Sequence, residues 1–113
     1  HLPRLLGEVR AKGLAFTAQP LTAEQAQDWG LIWKAIPDEG LLAEARKMTE
    51  AFANGPTLGL GLSKAAIQAA ATDTLEEHLE LEAGYMKTCG ESADYAEGVS
   101  AFLEKRAPAF KGE

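Results

Sequence analysis

The chain has 113 residues and a formal net charge of −6, and 46% of its residues are hydrophobic while 25% are charged. These values are typical of a single globular domain, and the acidic balance argues against general nucleic-acid binding, which needs a dense basic surface. No apolar run of about 18 residues is present, which excludes a membrane-spanning helix. The single cysteine, Cys89, excludes an internal disulfide and a cysteine-built metal site, and it is compatible with a cytoplasmic protein.

Helical spacing begins almost at the first residue, His1. Pro3 is suited to a first helical turn, and apolar residues recur every three or four positions from Leu2 to Phe16. A natural domain rarely starts without Met and within a residue or two of a helix. We therefore expect that further residues precede His1 in the intact protein.

A capping box and a short non-helical segment follow. Thr22 and Gln25 can exchange hydrogen bonds at the start of a helix of about two turns, which Gly30 ends in a left-handed conformation. The next six residues, "LIWKAI" from Leu31 to Ile36, are rich in β-branched and aromatic side chains and precede a proline. They predict an extended segment.

Two further helices are predicted between residues 38 and 71. The first has apolar residues at helical spacing and ends at Asn54 and Gly55. Pro56 opens the second, from Thr57 to about Ala71, which has few long polar side chains. We expect this second helix to be well buried or packed closely on both sides.

The last two predicted helices both carry N-terminal caps. Thr74 and Glu77 form a second capping box, and the helix that follows, to Gly90, has an apolar stripe opposite its glutamates. Ser92 caps the final helix, which we expect Pro108 to end. The sequence therefore predicts a mainly α fold of five or six helices with one short extended piece.

No conventional catalytic or metal-binding constellation is present. His78 lies among several glutamates, which predicts a solvated helix face rather than a metal site. The segment "GLGLSK", residues 59–64, differs from a phosphate-binding loop because its serine precedes its lysine within a predicted helix. Glu82 lies on the apolar stripe, where it is either a buried acid or, as we expect, paired with a neighbouring arginine or with another subunit.

A small basic and aromatic cluster lies near the end of the chain. On a helix Phe102 and Lys105 are three residues apart and Arg106 is four residues from Phe102, so the three side chains are predicted neighbours. An aromatic ring beside two cations suits a ligand that combines a flat base with phosphate. The alternative is that the cations interact with the negative end of the helix dipole while Phe102 and Phe110 simply pack.

Three segments in this order resemble one enzyme family. They are the "LPR" helix, the block "LTAEQAQDWGLI" and the ending "EGVSAFLEKRAPAF". Together they resemble the C-terminal half of the crotonase superfamily, the enoyl-CoA hydratase/isomerase enzymes, from Leu2 to Lys111. The resemblance implies that residues 1–113 are the helical region that forms trimers and covers CoA, in an α/β family fold built as a spiral of ββα units.

The resemblance places the catalytic parts of that fold upstream of this chain. The family's N-terminal core holds the acyl-CoA cleft, the two backbone N–H groups that stabilise the thioester enolate, and the acid/base carboxylate. No catalytic residue, metal or separate cofactor is therefore assigned here, and a CoA thioester is the implied substrate. The segments "DWGLIWKAI" and "TLGLGLSKAAI" are most similar to the isomerases that open ring-epoxidised phenylacetyl-CoA to an oxepin, with a generic enoyl-CoA hydratase as the alternative.

The resemblance also implies a CoA-binding role for the basic cluster. Family members place a Phe and a Lys of the C-terminal helix at the adenine and 3′-phosphate end of a neighbouring subunit's CoA, and these positions match Phe102 and Lys105. A further family aromatic falls at Met86, with Tyr85 adjacent, and Arg106 is a supporting candidate. The implied partners are an acyl-CoA and further copies of the chain, as a trimer or a dimer of trimers. A non-catalytic helical interaction module remains the alternative.

Overall fold

The structure, a computed structural model, describes all 113 residues and contains six α-helices and no β-strand. The helices are α1 (Leu2–Thr17), α2 (Ala23–Asp28), α3 (Asp38–Ala53), α4 (Thr57–Ala69), α5 (Leu75–Gly90) and α6 (Ala93–Glu104). The predicted mainly α fold is confirmed. None of these helices combines the length and the apolar character needed to cross a membrane. The chain divides within α3 into two compact units, His1–Glu44 and Ala45–Glu113.

In the first unit, backbone hydrogen bonds fold the segment after α2 back onto that helix. The predicted capping box of α2 is present, and Gly30 has the predicted positive φ, 76°. The amides of Leu31 and Ile32 then both donate to the carbonyl oxygen of Ala26, at 2.8 and 3.3 Å. The prediction of an extended segment over residues 31–36 is therefore wrong for its first residues, because these bonds bend the chain there and no strand forms.

The first helix contains a kink that its apolar periodicity conceals. Gly7 has φ 77° and ψ 163°, outside the helical region. Glycine adopts this conformation readily because it has no Cβ. Leu6 and Ala11, on either side of the kink, are the buried residues of α1, whereas Val9 and Phe16 are 85% and 80% exposed.

In the second unit, α5 packs against both α4 and α6. The predicted capping box of α5 is confirmed, because the Glu77 amide donates to Thr74 Oγ1 at 3.3 Å and the Thr74 amide donates to Glu77 at 2.9 Å. No residue of α4 is buried, and its Leu60 and Ile67 are 41% and 74% exposed. The prediction of a well-buried α4 is wrong for this chain, since α5 is the one helix that packs against it.

The final helix starts as predicted but ends earlier. Ser92 caps α6 by accepting the Tyr95 amide at 3.1 Å. The helix ends at Glu104, well before Pro108, and Lys105 has a left-handed backbone with φ 56° and ψ 37°. The chain therefore reverses at Lys105, and the residues after it run back along α6.

Candidate functional site

One face of α6 holds the C-terminal segment of the chain. Its members lie three, four and seven residues from the first of them, and we call it the tail face: Asp94, Glu97, Gly98 and Ala101. Asp94 and Ala101 are only 4% and 1% exposed. The Asp94 carboxylate accepts the amides of Lys111 and Gly112 at 2.7 and 2.8 Å. A buried charge is thus satisfied by two backbone N–H groups, which hold the end of the chain on the helix.

Arg106 joins the tail face to the end of the helix. Its Nη1 and Nη2 donate to the two carboxylate oxygens of Glu97 at 2.5 and 2.9 Å, and its Nε donates to Glu104 at 2.6 Å. The amide of Ala109 also donates to Glu97, at 2.8 Å. The hydrogen bonds from Arg106 and from the Ala109 amide lower the pKa of Glu97 to about 2, and the two carboxylates raise the pKa of Arg106. Arg106 is therefore engaged by anionic groups of its own chain.

Lys105 has a different environment from its neighbour. Its backbone amide donates to the carbonyl oxygen of Phe102 at 3.3 Å, and its ammonium forms no ion pair. The predicted helical relation of Phe102, Lys105 and Arg106 is wrong beyond Glu104, because the backbone reverses there. Of the two predicted cations, Lys105 is available to an anionic ligand and Arg106 is held by carboxylates.

Phe102 lines an apolar groove of about 440 Å³ in the second unit. Its ring is 83% exposed. Phe110, from the segment held on the tail face, reaches the same groove and packs against Gly98, where an added Cβ would lie 3.5 Å from its ring. Gly59 of α4 and Cys89 of α5 line other parts of this groove. The structure therefore brings together the two phenylalanines that the sequence analysis placed near the basic cluster.

Tyr85 and Met86 line a second groove, of about 480 Å³, between α4 and α5. It adjoins the first groove because Gly59 and Cys89 line both. Phe102 does not line this second groove. The predicted aromatic and apolar contacts are thus divided between two adjoining grooves, and the two cations line neither.

The glutamates around His78 predicted a solvated helix face, and this prediction is wrong. The side chain of His78 is only 17% exposed, with Nδ1 3.2 Å from Asp73 Oδ2 and Nε2 3.4 Å from Glu82 Oε1. The partner of Glu82 is therefore a histidine of its own helix, not the arginine or second subunit that we expected. The three side chains do not form a group that could hold a metal ion.

Asp94 and Glu97 shape the candidate site, although neither was a predicted site residue. A signal for them is present in the sequence, namely two acids three residues apart on a helix, followed by an arginine and a proline-containing tail. That spacing places both carboxylates on one helix face. Backbone amides of the tail are then the natural partners for the two carboxylates.

Known proteins share both the sequence and the fold of this chain. The profile of the enoyl-CoA hydratase/isomerase family matches residues 1–113. The chain is 51% identical over 112 residues to the 1,2-epoxyphenylacetyl-CoA isomerase of Escherichia coli (strain K12). The matched region covers 99% of this chain and 43% of that protein. It is 42% identical over 111 residues to a protein of Rhodobacter capsulatus named "Probable enoyl-CoA hydratase", which covers 98% of this chain and 43% of that protein.

A solved structure gives the corresponding fold. The crystal structure of enoyl-CoA hydratase from Bacillus anthracis matches with a TM-score of 0.90 and 34% identity, over 99% of this chain and 43% of that one. The chain thus spans less than half the length of these relatives, and its six helices correspond to the helical part of their crotonase fold. Since the family profile matches every residue and the fold agrees, the chain belongs to the enoyl-CoA hydratase/isomerase family.

Proposed function

We propose that this chain is the C-terminal helical region of an isomerase that converts ring-epoxidised phenylacetyl-CoA to an oxepin-CoA in phenylacetate catabolism. The observation that carries the proposal is the 51% identity, over 112 residues, to the 1,2-epoxyphenylacetyl-CoA isomerase of Escherichia coli. The identity to the Rhodobacter capsulatus protein named as a probable hydratase is lower, at 42%. The intact protein is then a cytoplasmic enzyme that takes an acyl-CoA as substrate and uses no separate cofactor.

In this proposal the reactive groups lie in an N-terminal catalytic core. Backbone N–H groups of that core stabilise the negative charge that develops on the thioester oxygen, and a carboxylate moves protons as the epoxide opens. Residues 1–113 form the helical domain that supplies subunit contacts, in a trimer or a dimer of trimers, and part of the CoA site. The 113-residue chain alone should therefore show no hydratase or isomerase turnover.

Phe102 and Lys105 are the proposed contacts to the nucleotide end of CoA. The exposed ring of Phe102 offers a flat apolar surface on which an adenine can stack. The unpaired ammonium of Lys105 can form charge-assisted hydrogen bonds with a phosphate, which matters on a chain whose net charge is −6. Tyr85 and Met86 are proposed to contact the same ligand from the adjoining groove.

A substrate comparison on the full-length protein tests the proposal. The protein is assayed with ring-epoxidised phenylacetyl-CoA and, separately, with crotonyl-CoA, and kcat/KM is measured for each. We expect the epoxide to be the better substrate by at least about tenfold, the effect of a transition-state difference of roughly 1.4 kcal/mol. Equal or faster hydration of crotonyl-CoA would reject the isomerase assignment.

A generic enoyl-CoA hydratase is the second candidate. It is favoured by the Rhodobacter capsulatus relative and by the fold match to the Bacillus anthracis hydratase. This candidate predicts the reverse order of kcat/KM in the same assay. A full-length protein without turnover on either substrate would instead support the third possibility, a helical interaction module.

A further inference from the structure

We propose that Glu97 and Arg106 are positioning residues of the CoA site, which hold the backbone at Lys105 and the segment that carries Phe110, and that Arg106 does not itself contact the phosphate. This inference rests on the proposed function, because it concerns the same site. It also reassigns Arg106, which the family resemblance made a candidate CoA ligand.

The hydrogen bonds of Arg106 leave its guanidinium little freedom to bind a ligand. Three of its nitrogens donate to carboxylates, two of them to both oxygens of Glu97 and one to Glu104. This planar, bidentate geometry is the strongest that an arginine forms with a carboxylate. A phosphate would have to displace Glu97, and it would then approach a carboxylate of the same sign.

The same bonds hold the unusual backbone of Lys105 in place. A left-handed conformation is disfavoured for a residue with a Cβ, so it persists where neighbouring contacts impose it. Immediately after Lys105, the Arg106 amide donates to the Ala101 carbonyl at 3.0 Å and its side chain is fixed by Glu97. The direction in which Lys105 leaves the helix end is therefore set before any ligand binds, which lowers the ordering cost of binding.

Glu97 also connects this reversal to the apolar groove. Its Oε1 accepts the Ala109 amide at 2.8 Å, directly before Phe110. Phe110 packs on Gly98 and lines the groove together with Phe102. The Glu97 carboxylate thus helps to hold both the backbone reversal at Lys105 and the position of Phe110 in the groove wall.

The test compares binding of CoA with binding of 3′-dephospho-CoA to the full-length protein by calorimetry. Lys105→Met removes the proposed phosphate ligand. Glu97→Gln weakens the ion pair between Glu97 and Arg106, and Arg106→Lys keeps the positive charge without the bidentate geometry. Glu76→Gln, an exposed glutamate on α5 without an ion pair, is the matched control for the charge change. The ratio of the affinities for CoA and 3′-dephospho-CoA is the critical readout, because partial unfolding would weaken the binding of both ligands equally.

We expect the unaltered protein and Glu76→Gln to prefer CoA, and Lys105→Met to lose that preference. Glu97→Gln and Arg106→Lys should each reduce the preference severalfold, up to about tenfold, and raise KM more than they lower kcat. If Arg106 were itself a phosphate ligand, Glu97→Gln would free it and increase the preference, so an increased or unchanged preference overturns the inference. If the unaltered protein bound CoA and 3′-dephospho-CoA equally well and Lys105→Met changed neither affinity, the CoA-binding role in the proposed function would be overturned as well.

Discussion

Two neighbouring cations at the end of α6 have opposite electrostatic surroundings. The guanidinium of Arg106 is bound by two carboxylates, whereas the ammonium of Lys105 has no anionic partner in the chain. A free cation keeps its full attraction for an incoming phosphate, while a paired one must first give up its partner. Affinity for an anionic ligand at this helix end should therefore depend mainly on Lys105.

Replacing Lys105 with Ala in the full-length protein should weaken binding of a CoA thioester by about tenfold, as expected when one charge-assisted hydrogen bond is lost. The loss should shrink as salt is raised, because screening already weakens the contact in the unaltered protein. Calorimetric titrations at several salt concentrations would measure this. Lys47→Ala, which removes an unpaired lysine from α3, is the matched control. Equal affinities for the two variants would rule out the phosphate contact.

Because of Glu97, the attachment of the C-terminal segment to α6 should depend on pH. The pKa of Glu97 falls from the ordinary 4.5 to about 2, chiefly because Arg106 and the Ala109 amide donate to it. The ionised form therefore favours the folded tail. Its stabilising contribution is complete above about pH 4.5 and is lost as the pH falls toward 2.

A carboxyl NMR titration of Glu97 measures this directly, and hydrogen-exchange protection of the Ala109 amide should follow the same curve. Arg106→Met should raise the pKa of Glu97 toward its ordinary value, because the first of its two principal hydrogen-bond partners is gone. Titration of Glu97 near 4.5 in the unaltered chain would show that the ion pair does not persist in solution.

Among the helices, local signals predicted the beginnings well. The capping boxes at Thr22 and Thr74 and the serine cap of α6 form as the sequence indicates, because each depends on residues only three positions apart. A cap of this kind needs no tertiary context. Helix starts are accordingly the part of this fold that sequence reasoning located best.

The features that sequence reasoning missed depend on contacts between residues far apart in the chain, or are hidden by a regular apolar pattern. The end of α6 is set at Lys105 with help from an ion pair between Glu97 and Arg106, nine residues apart, so Pro108 is not the breaker it appeared to be from the sequence. The kink at Gly7 is concealed because apolar residues keep their helical spacing across it. The division of the candidate site into two grooves likewise follows from the packing of α5 against α4 and α6, which local patterns do not specify.

Thr74→Ala should destabilise the second unit by about 1 kcal/mol, because the mutation removes one side of the α5 capping box. The Thr74 hydroxyl accepts the Glu77 amide and also donates to the Glu77 carboxylate, so both partners lose bonds. Thr88→Ala is the matched control on the same helix, since Thr88 only donates back to the Gly84 carbonyl and alanine is the better helix former. Urea unfolding followed by circular dichroism would measure the difference. A smaller loss for Thr74→Ala than for Thr88→Ala would contradict the role of the cap.

At the scale of the whole molecule, the chain exposes more surface than a folded monomer of its mass normally does, and large hydrophobic side chains such as Val9, Phe16 and Phe102 contribute to it. Its accessible surface is 9020 Å², whereas a folded 12.0 kDa monomer is expected to expose about 6,000 Å². The buried hydrophobic residues are few and mostly small, namely Leu6, Ala11, Ala26 and Ala101. Large exposed apolar surfaces mark sites of association. In the proposed enzyme this surface is available for contacts, either with the N-terminal core or between subunits.

The isolated 113-residue chain should therefore self-associate in a concentration-dependent manner. The exposed side chains of α1 offer a test that spares its buried residues, because Val9 and Phe16 are 85% and 80% exposed. Replacing both with Glu should shift sedimentation toward the 12.0 kDa monomer, since two added charges make burial of that face unfavourable. Lys47→Glu is the control for an added negative charge at a polar position and should leave association unchanged. A concentration-independent monomer for the unaltered chain would show that these helices do not associate without the rest of the protein, and a double variant that associates as strongly as the unaltered chain would assign the contact to another face.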